Sequence, residues 1–177
     1  MKPAILDDDF FRRGTLRVAR DLLGKHLVGR VNGAELALPI TEVEAYDGPN
    51  DRACHAHRGR TARNAVMFGP PGFWYVYLCY GVHWLLNIVT GPEDFPAAVL
   101  IRGAGDVCGP GRVTRRFGIT GDQDRKSAGP AAGLWIEDRG LRVRRKEIER
   151  TPRIGIGYAG PVWSSKPYRF VWDGVRS

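Results

Sequence analysis

Hydrophobic residues near the N-terminus recur at the spacing of an α-helix. Asp7 to Asp9 can cap a short helix through Phe10 to Arg13, and a second helix begins at Thr15 and ends at Gly24. The apolar positions of the second helix lie mostly three or four residues apart: Leu16, Ala19, Leu22 and Leu23. The pattern therefore predicts two short consecutive helices.

Alternating hydrophobic positions then predict a β-hairpin. Residues 25–31 form the first strand and residues 35–46 the second, because Asn32-Gly33 between them is a strong signal for a two-residue hairpin turn. Successive side chains of a strand point to opposite faces, so Glu42, Glu44 and Tyr46 are expected to share one face. An acidic residue and an aromatic residue are thereby directed at the same space.

The remainder of the chain predicts a long loop followed by an antiparallel meander. Residues 47–72 are rich in Gly, Pro, Asn, Arg and His and form the loop. The elements predicted after it are strands at 73–80, 83–89 and 97–102, a basic helix at 110–117, and strands at 134–136, 154–158 and 168–172. We expect one domain, residues 1–177, of mixed α/β (α+β) class: a curved antiparallel sheet with a protruding β-hairpin and a few peripheral helices.

Composition and charge narrow the choice of partner. Hydrophobic residues make up 43% and charged residues 26%, which is ordinary for a globular protein and excludes the disordered and fibrous classes. The net charge is +8, and only five of the 27 basic residues are lysines. Arginine suits bidentate contacts to phosphate and to base edges, although genome base composition can produce the same excess. Nucleic acid is therefore a candidate partner that other features must support.

Cysteine and histidine give little indication of a disulfide or a metal. Cys54, Cys79 and Cys108 are odd in number and show no CxxC spacing. His55 and His57 suggest a metal site, but two close ligands without a third convergent group make a weak one. The first 25 residues contain no signal-peptide apolar region, and nowhere do 18 apolar residues run together. We expect a cytoplasmic protein in a reducing compartment, with no membrane partner.

Two acidic residues in a basic protein are the main candidates for chemistry. Phosphate repels carboxylates, so a glutamate directed at DNA would be there for a reaction. Taken alone, however, Glu42 and Glu44 fit better as two solvated carboxylates on an edge strand, the more common arrangement. Both interpretations remain open at this point.

Tyrosines are the second set of candidates. Tyr75 and Tyr77 share a strand face, whereas Tyr80 faces the other way at the tip of a predicted hairpin, beside Gly81. Tyrosines in strands are more often packing residues than platforms for bases. A tyrosine at a hairpin tip, by contrast, is poorly placed for a core and well placed to enter a DNA groove.

A series of short motifs, in a fixed order, covers most of the chain. They are Ala19-Arg20-Asp21-Leu22-Leu23-Gly24, Glu42-Val43-Glu44-Ala45-Tyr46 with Gly48-Pro49 and His55, Thr61-Ala62-Arg63-Asn64, Met67-Phe68, Pro71-Gly72, Tyr75-Val76-Tyr77, Tyr80-Gly81, Asn87, Val99-Leu100-Ile101-Arg102, Gly109-Pro110-Gly111, Arg153-Ile154-Gly155-Ile156 and Lys166-Pro167-Tyr168-Arg169-Phe170. In these motifs the chain closely resembles the alkyladenine (3-methyladenine) DNA glycosylase family, the group of the human alkyladenine enzyme and its bacterial relatives.

The resemblance implies an enzyme that flips a damaged purine out of double-stranded DNA and hydrolyses its N-glycosidic bond in base excision repair. Tyr80 would fill the vacated space. Tyr46 would stack on one face of the base, with His55 and Tyr77 on the other. Asn87 would lie at the purine edge and reject guanine through its exocyclic amino group.

The resemblance also assigns the chemistry. Glu44 matches the catalytic carboxylate, which stabilises an oxocarbenium-like state and deprotonates the attacking water, while Arg102 helps to hold both. Contacts to the DNA backbone are expected from four arginines: Arg63, Arg112, Arg115 and Arg116. No lysine lies in the catalytic motifs, so we expect a monofunctional, monomeric glycosylase without metal or cofactor, acting on alkylated or deaminated purines of the 3-methyladenine and hypoxanthine type.

Two positions depart from the family pattern. Only six residues separate Arg102 from Gly109, where the family usually carries a longer and often helical segment. Arg112 stands where a lysine is common, which keeps the charge but changes the geometry of a phosphate contact. We expect the chemistry to survive and the DNA contacts on this flank to change.

Three rival functions are distinguishable by experiment. A non-catalytic module that binds damaged DNA or RNA would not need Glu44. A metallohydrolase built on His55 and His57 would lose activity to chelators. An enzyme that hydrolyses free nucleosides would need neither Tyr80 nor a basic surface.

Overall fold

The computed structural model describes residues 2–174, and within them the chain forms ten strands and four α-helices. The strands are β1 (Ala4–Ile5), β2 (His26–Val31), β3 (Ala34–Tyr46), β4 (Trp74–Cys79), β5 (His83–Val89), β6 (Ala98–Ala104), β7 (Val107–Cys108), β8 (Leu134–Asp138), β9 (Ile148–Thr151) and β10 (Arg169–Trp172). The helices are α1 (Asp8–Phe11), α2 (Thr15–Leu22), α3 (Pro110–Phe117) and α4 (Pro161–Ser164).

The strands form a curled, fully antiparallel sheet in the order β1-β8-β2-β3-β6-β5-β4. Strand β3 is long enough to join two parts of this sheet. Residues 34–39 pair with β2, whereas residues 40–46 pair with β6 and, over residues 42–44, with β10. Strand β9 extends the sheet beyond β10. The expected mixed α/β class with a predominantly antiparallel sheet is confirmed.

Helices α2 and α3 cover one face of this sheet. Val18 and Leu22 of α2 and Val113 of α3 are completely buried, in one core with Val43 and Ile101 from the central strands. Each fully buried aliphatic side chain of this size contributes roughly 1.5–3 kcal/mol by leaving water. The helices therefore leave the opposite face of the central strands for other use.

The prediction of a strand at residues 154–158 is wrong. The strand lies earlier, at Ile148–Thr151, where it pairs with β10. Pro152 has no amide hydrogen to donate, and Gly155 has a φ of 75°, so the backbone leaves the extended conformation there. The amide of Ile154 is then hydrogen-bonded to a side chain instead of a neighbouring strand.

The segment between Arg102 and Gly109 is a tight hairpin. It connects β6 to β7, which pair at Gly103 with Cys108 and at Ala104 with Val107. This hairpin is the short segment that the sequence showed as a departure from the family pattern. Among residues 2–174, no helix is long and apolar enough to cross a membrane.

Candidate active site

The face of the sheet opposite α2 and α3 carries an aligned row of side chains. Directly opposed residues on neighbouring antiparallel strands project to the same side. One such row runs across five strands, from β4 to β10: Tyr75, Asn87, Leu100, Glu44 and Arg169. Strand pairing alone thus gathers residues that are up to 125 positions apart in the sequence, and Glu44 lies among them.

Glu44 is completely buried, and each of its carboxylate oxygens accepts a hydrogen bond. Tyr46 Oη donates to Oε2 over 2.9 Å, and the backbone nitrogen of Ile154 donates to Oε1 over 2.7 Å. Arg102 Nε lies 3.6 Å from the same Oε1. Burial raises the pKa of Glu44, and Arg102 with the two hydrogen bonds offsets only part of that effect. Glu44 is therefore a stronger base than a glutamate on the surface.

Glu42 is also buried, but its pKa moves in the opposite direction. Its Oε1 accepts hydrogen bonds from Arg169 Nε over 2.7 Å and from Arg102 Nε over 2.8 Å. Burial raises the pKa of Glu42, yet these two bonds and the positive charges of both arginines together outweigh burial and leave the pKa below its ordinary value. Glu42 and Glu44 are 4% and 0% exposed on an internal strand, so their interpretation as solvated edge carboxylates is wrong.

Two compensating irregularities in the pairing of β3 with β6 bring Arg102 to these carboxylates. The register shifts between Ile40 and Glu42, and shifts back between Glu42 and Val43, which leaves Thr41 on β3 and Arg102 on β6 as extra residues. Such bulges redirect side chains and are common next to active sites. Gly103 is needed here, because a Cβ would come within 2.7 Å of Thr41 Oγ1.

Aromatic rings form the wall of the site. The His55 ring lies 4.7 Å from the Tyr77 ring between centroids, and His55 Nδ1 is 2.9 Å from Tyr75 Oη. Burial raises the pKa of Tyr75 to about 12, so its hydroxyl stays protonated at neutral pH. His55 is partly exposed to solvent, and the burial of the rest of its side chain together with Arg63 lowers its pKa. Tyr46 contributes a ring to the same cavity.

The cavity has a volume of about 370 Å³. Its lining includes Glu44, Tyr46, His55, Tyr77, Asn87 and Arg102, together with Arg63, Tyr80, Ile154 and Tyr158. That volume lies at the lower end of the range of roughly 300–1,000 Å³ typical of small-molecule pockets, and suits one planar ring system. Eight side chains that the sequence singled out, Arg63 and Tyr80 included, therefore line one concave space.

Tyr80 stands at the tip of the β4–β5 hairpin, 94% exposed. Tyr80 and Gly81 have φ values of 50° and 68°, and Val82 N donates to Cys79 O over 3.1 Å, as in a type I′ turn. A tyrosine at positive φ is uncommon, since the left-handed region favours Gly, Asn and Asp. Tyr80 thus presents an exposed ring from an unfavourable backbone conformation, and it also lines the cavity.

A buried ion pair that the sequence analysis did not identify contacts the strand that carries Glu44 and Tyr46. Arg153 and Asp51 have completely buried side chains, and Arg153 donates two hydrogen bonds to the Asp51 carboxylate at 2.5 and 2.9 Å. Arg153 also donates to the carbonyl of Ala45, and its guanidinium lies 4.8 Å from the centroid of the Tyr46 ring. Arg153 belongs to a recognised motif, but its partner lies in a loop without periodicity, so no sequence signal indicated the pair.

The long loop is held in place by side-chain hydrogen bonds. Asn64 is 2% exposed and donates to the carbonyls of His55 and Gly59. His57 Nδ1 contacts the carbonyl of Pro49 at 2.8 Å, whereas His55 contacts Tyr75. Within residues 2–174, no group of three or more His, Cys, Asp or Glu side chains is arranged to hold a metal ion.

The arginines expected to contact the DNA backbone are all at the surface. Arg112, Arg115 and Arg116 are exposed on α3, whose first turn packs against β5 so closely that a Cβ on Gly111 would lie 3.1 Å from His83. Arg63 is exposed at the cavity, with its guanidinium 4.8 Å from the Tyr77 ring centroid. Their contacts with DNA stay a prediction.

Comparison with known proteins agrees with this geometry. The profile of the methylpurine-DNA glycosylase (MPG) family matches residues 9–108 and 105–176. A protein of Anaeromyxobacter dehalogenans (strain 2CP-C) is 46% identical over 96% of this chain and 84% of its own length, and one of Streptomyces avermitilis is 49% identical over 95% and 87%. A protein of Methanocella arvoryzae is 43% identical over 94% of this chain and 91% of its own length. All three carry the name "Putative 3-methyladenine DNA glycosylase". The chain belongs to the methylpurine-DNA glycosylase family.

Proposed function

We propose that this protein is a DNA glycosylase of the 3-methyladenine type, a hydrolase that removes alkylated or deaminated purines from duplex DNA. The observation that carries the proposal is Glu44: a buried carboxylate of raised pKa facing a cavity the size of a purine and walled by aromatic rings. Family membership supports the same reaction class. We further propose that residues 1–177 act as one monomeric domain, associated with the nucleoid through DNA binding.

Base flipping explains the arrangement of the cavity and the hairpin tip. A base within a duplex cannot reach Glu44, so it must be extruded at a cost of a few kcal/mol, which is about the size of the penalty for unstacking. Tyr80 fills the vacated space, and the base enters between Tyr46 on one side and His55 with Tyr77 on the other. Each stacked ring contributes about 1–3 kcal/mol.

Asn87 supplies selectivity in this proposal. Its amide nitrogen donates to the carbonyl of Tyr75 over 3.1 Å, which fixes the side chain at the cavity wall. A base with an exocyclic amino group at that edge meets a side chain that cannot move away without losing this bond. Guanine is rejected by such a clash, while 3-methyladenine and hypoxanthine are accepted.

The chemical step uses one carboxylate. The C1′–N bond breaks with its electron pair passing to the base, and the ionised Glu44 stabilises the oxocarbenium-like sugar. Water then attacks C1′ and gives its proton to Glu44, while Arg102 helps to hold that water. A cationic 3-methyladenine leaves as a neutral base and requires no acid. Because no lysine amine takes part, the product is an abasic site without strand cleavage.

The test is single-turnover release of bases from a methylated duplex and from a duplex with one hypoxanthine, with EDTA throughout. We expect wild type to release bases and Glu44→Gln to release none. The wild-type rate should fall as the pH drops through the raised pKa of Glu44, because protonation removes the base, so the acid limb should lie above about pH 4.3, the ordinary glutamate value. Tight binding of damaged duplex without any release would instead identify a non-catalytic binding module. Loss of activity in EDTA, or borohydride-trapped intermediates, would contradict the metal-free, monofunctional mechanism.

A further inference from the structure

Two arginines on the strands that flank Glu44, Arg102 on β6 and Arg169 on β10, are hydrogen-bonded to Glu42. Arg169 is the cross-strand partner of Glu44 on β10, yet its Nε donates to Glu42 Oε1 over 2.7 Å and its Nη1 donates to Thr151 Oγ1 over 2.9 Å. Arg102 Nε donates to the same oxygen of Glu42 over 2.8 Å and stays 3.6 Å from Glu44 Oε1. Glu42 thus gathers two positive charges that could otherwise pair with Glu44.

Direct pairing would weaken Glu44 as a base. Glu44 already accepts hydrogen bonds from Ile154 N and Tyr46 Oη, one on each oxygen. Arginine and carboxylate form short, charge-assisted and often bidentate pairs, which occupy the remaining lone pairs and favour the ionised, less basic form. A carboxylate that must bind and deprotonate water needs one of those lone pairs free.

We propose that Glu42 is a positioning residue: it holds Arg102 and Arg169 in hydrogen bonds of its own, which keeps both guanidinium groups from hydrogen-bonding to Glu44 and leaves a lone pair of Glu44 available for the attacking water. The inference rests on the catalytic role of Glu44 in the proposed function. It differs from that role because Glu42 itself touches neither the base nor the water.

The charged and titratable groups around Glu44 come from four parts of the fold. Glu42 and Tyr46 lie on β3, Arg102 on β6, Arg169 on β10 and Arg153 in the segment that follows β9. The pKa of Glu42 is lowered and that of Glu44 is raised although both are buried, which agrees with unequal sharing of the arginines.

Three variants separate position from charge: Glu42→Gln, Arg169→Gln and the double variant. The assay is the pH profile of single-turnover base release at saturating enzyme, with wild type and Glu44→Gln beside them. A neutral amide holds a guanidinium less strongly than a carboxylate does, so in Glu42→Gln we expect Arg102 to move toward Glu44. The maximal rate should fall about 10- to 100-fold, because misplacement by about an ångström costs on the order of 100-fold. The acid limb should move to lower pH, since closer pairing lowers the pKa of Glu44.

The double variant is decisive. It has the same net charge as wild type, so a purely electrostatic role for Glu42 predicts recovery of the rate and the pH profile. The positioning role predicts that both defects persist, because Arg102 still lacks its anchor. Arg169→Gln alone removes a positive charge and leaves Arg102 anchored, so its acid limb should move to higher pH with a smaller loss of rate.

Controls keep the outcomes distinct. Glu149→Gln makes the same change at an exposed position of the neighbouring strand β9 and should leave the profile unaltered. Circular dichroism and binding to a duplex with an abasic-site analogue check folding. Should Glu42→Gln unfold, Glu42→Asp replaces it. The shortened carboxylate should give a smaller loss of rate and move the acid limb in the same direction. An unchanged profile in a folded Glu42 variant, or recovery in the double variant, would overturn the inference. Absence of release by wild type would instead overturn the proposed function.

Discussion

Replacing Tyr80 with asparagine should make the protein more stable and less active. The chain contains two hairpin turns with similar φ values: Asn32-Gly33 has φ values of 49° and 80°, and Tyr80-Gly81 has 50° and 68°. Asparagine followed by glycine is the preferred pair for such a turn, whereas a side chain such as tyrosine in the left-handed region costs about 1–2 kcal/mol. The first hairpin therefore has the favourable residue, Asn32, at this turn position, whereas the second has the unfavourable Tyr80.

The expected gain follows from that comparison. The Tyr80 ring is 94% exposed, so its removal forfeits almost no buried area. Relief of most of the backbone strain should raise the free energy of unfolding by about 1 kcal/mol and, for a chain of this length, the melting temperature by about 2–4 °C. Differential scanning calorimetry measures both quantities.

The expected loss concerns base flipping alone. A ring that fills the space of the extruded base should contribute about 1–3 kcal/mol, so single-turnover release from a duplex should slow about 5- to 150-fold in Tyr80→Asn. The matched control is Asn32→Tyr, which puts the same side chain at a similar positive φ on the other hairpin. It should destabilise the protein by a similar amount and leave base release unchanged. A Tyr80→Asn protein that is less stable than wild type, or fully active, would refute the reasoning.

Three further changes test other parts of the structure. Asp51→Asn leaves the Arg153 guanidinium unpaired where both side chains are completely buried, so urea unfolding should show a loss of about 3–5 kcal/mol, and a loss below about 1 kcal/mol would contradict the importance of the pair. Asn87→Ala removes the proposed clash with the guanine amino group, so guanine should appear among the bases released from undamaged DNA, and its continued absence would remove Asn87 as the filter. The third change neutralises the three exposed arginines of α3 through Arg112→Gln, Arg115→Gln and Arg116→Gln. The slope of the logarithm of the DNA-binding constant against the logarithm of the salt concentration should become shallower by about 0.9 for each phosphate that these side chains neutralise in wild type. An unchanged slope would show that this helix faces away from DNA.

Local sequence signals predicted most elements because each depends on near neighbours. Asn32-Gly33 fixed the first hairpin, and the alternation of Glu42, Glu44 and Tyr46 fixed which side chains share a face. The prediction of a strand at residues 154–158 was wrong for two reasons. Pro152 and Gly155 interrupt the extended backbone, and the Glu44 side chain accepts the hydrogen bond of the Ile154 amide. A side chain far away in sequence took the amide that a strand partner would have used, and no local pattern reports such a contact.

The site was predictable as a set of residues but not as an electrostatic arrangement. Motif order identified Glu44, Asn87 and Arg102 among the residues that line the cavity. The different surroundings of Glu42 and Glu44 depend on paired register shifts between β3 and β6. Those shifts arise from packing across strands, so two glutamates that look equivalent in the sequence acquire opposite pKa shifts in the fold.

Burial of the carboxylates explains how a positively charged protein can use a negatively charged carboxylate as a proton acceptor in a reaction on DNA. An exposed glutamate would be screened by solvent and would repel the phosphates that the surface arginines attract. Glu44 instead is completely buried in the cavity wall and hydrogen-bonded to Tyr46, so in the proposed function only an extruded nucleotide reaches it. Glu42 is paired with Arg102 and Arg169. The positive exterior can thus attract the DNA backbone while the negative charge acts only within the cavity. The same burial that raises the pKa of Glu44 therefore separates DNA attraction from bond cleavage in space.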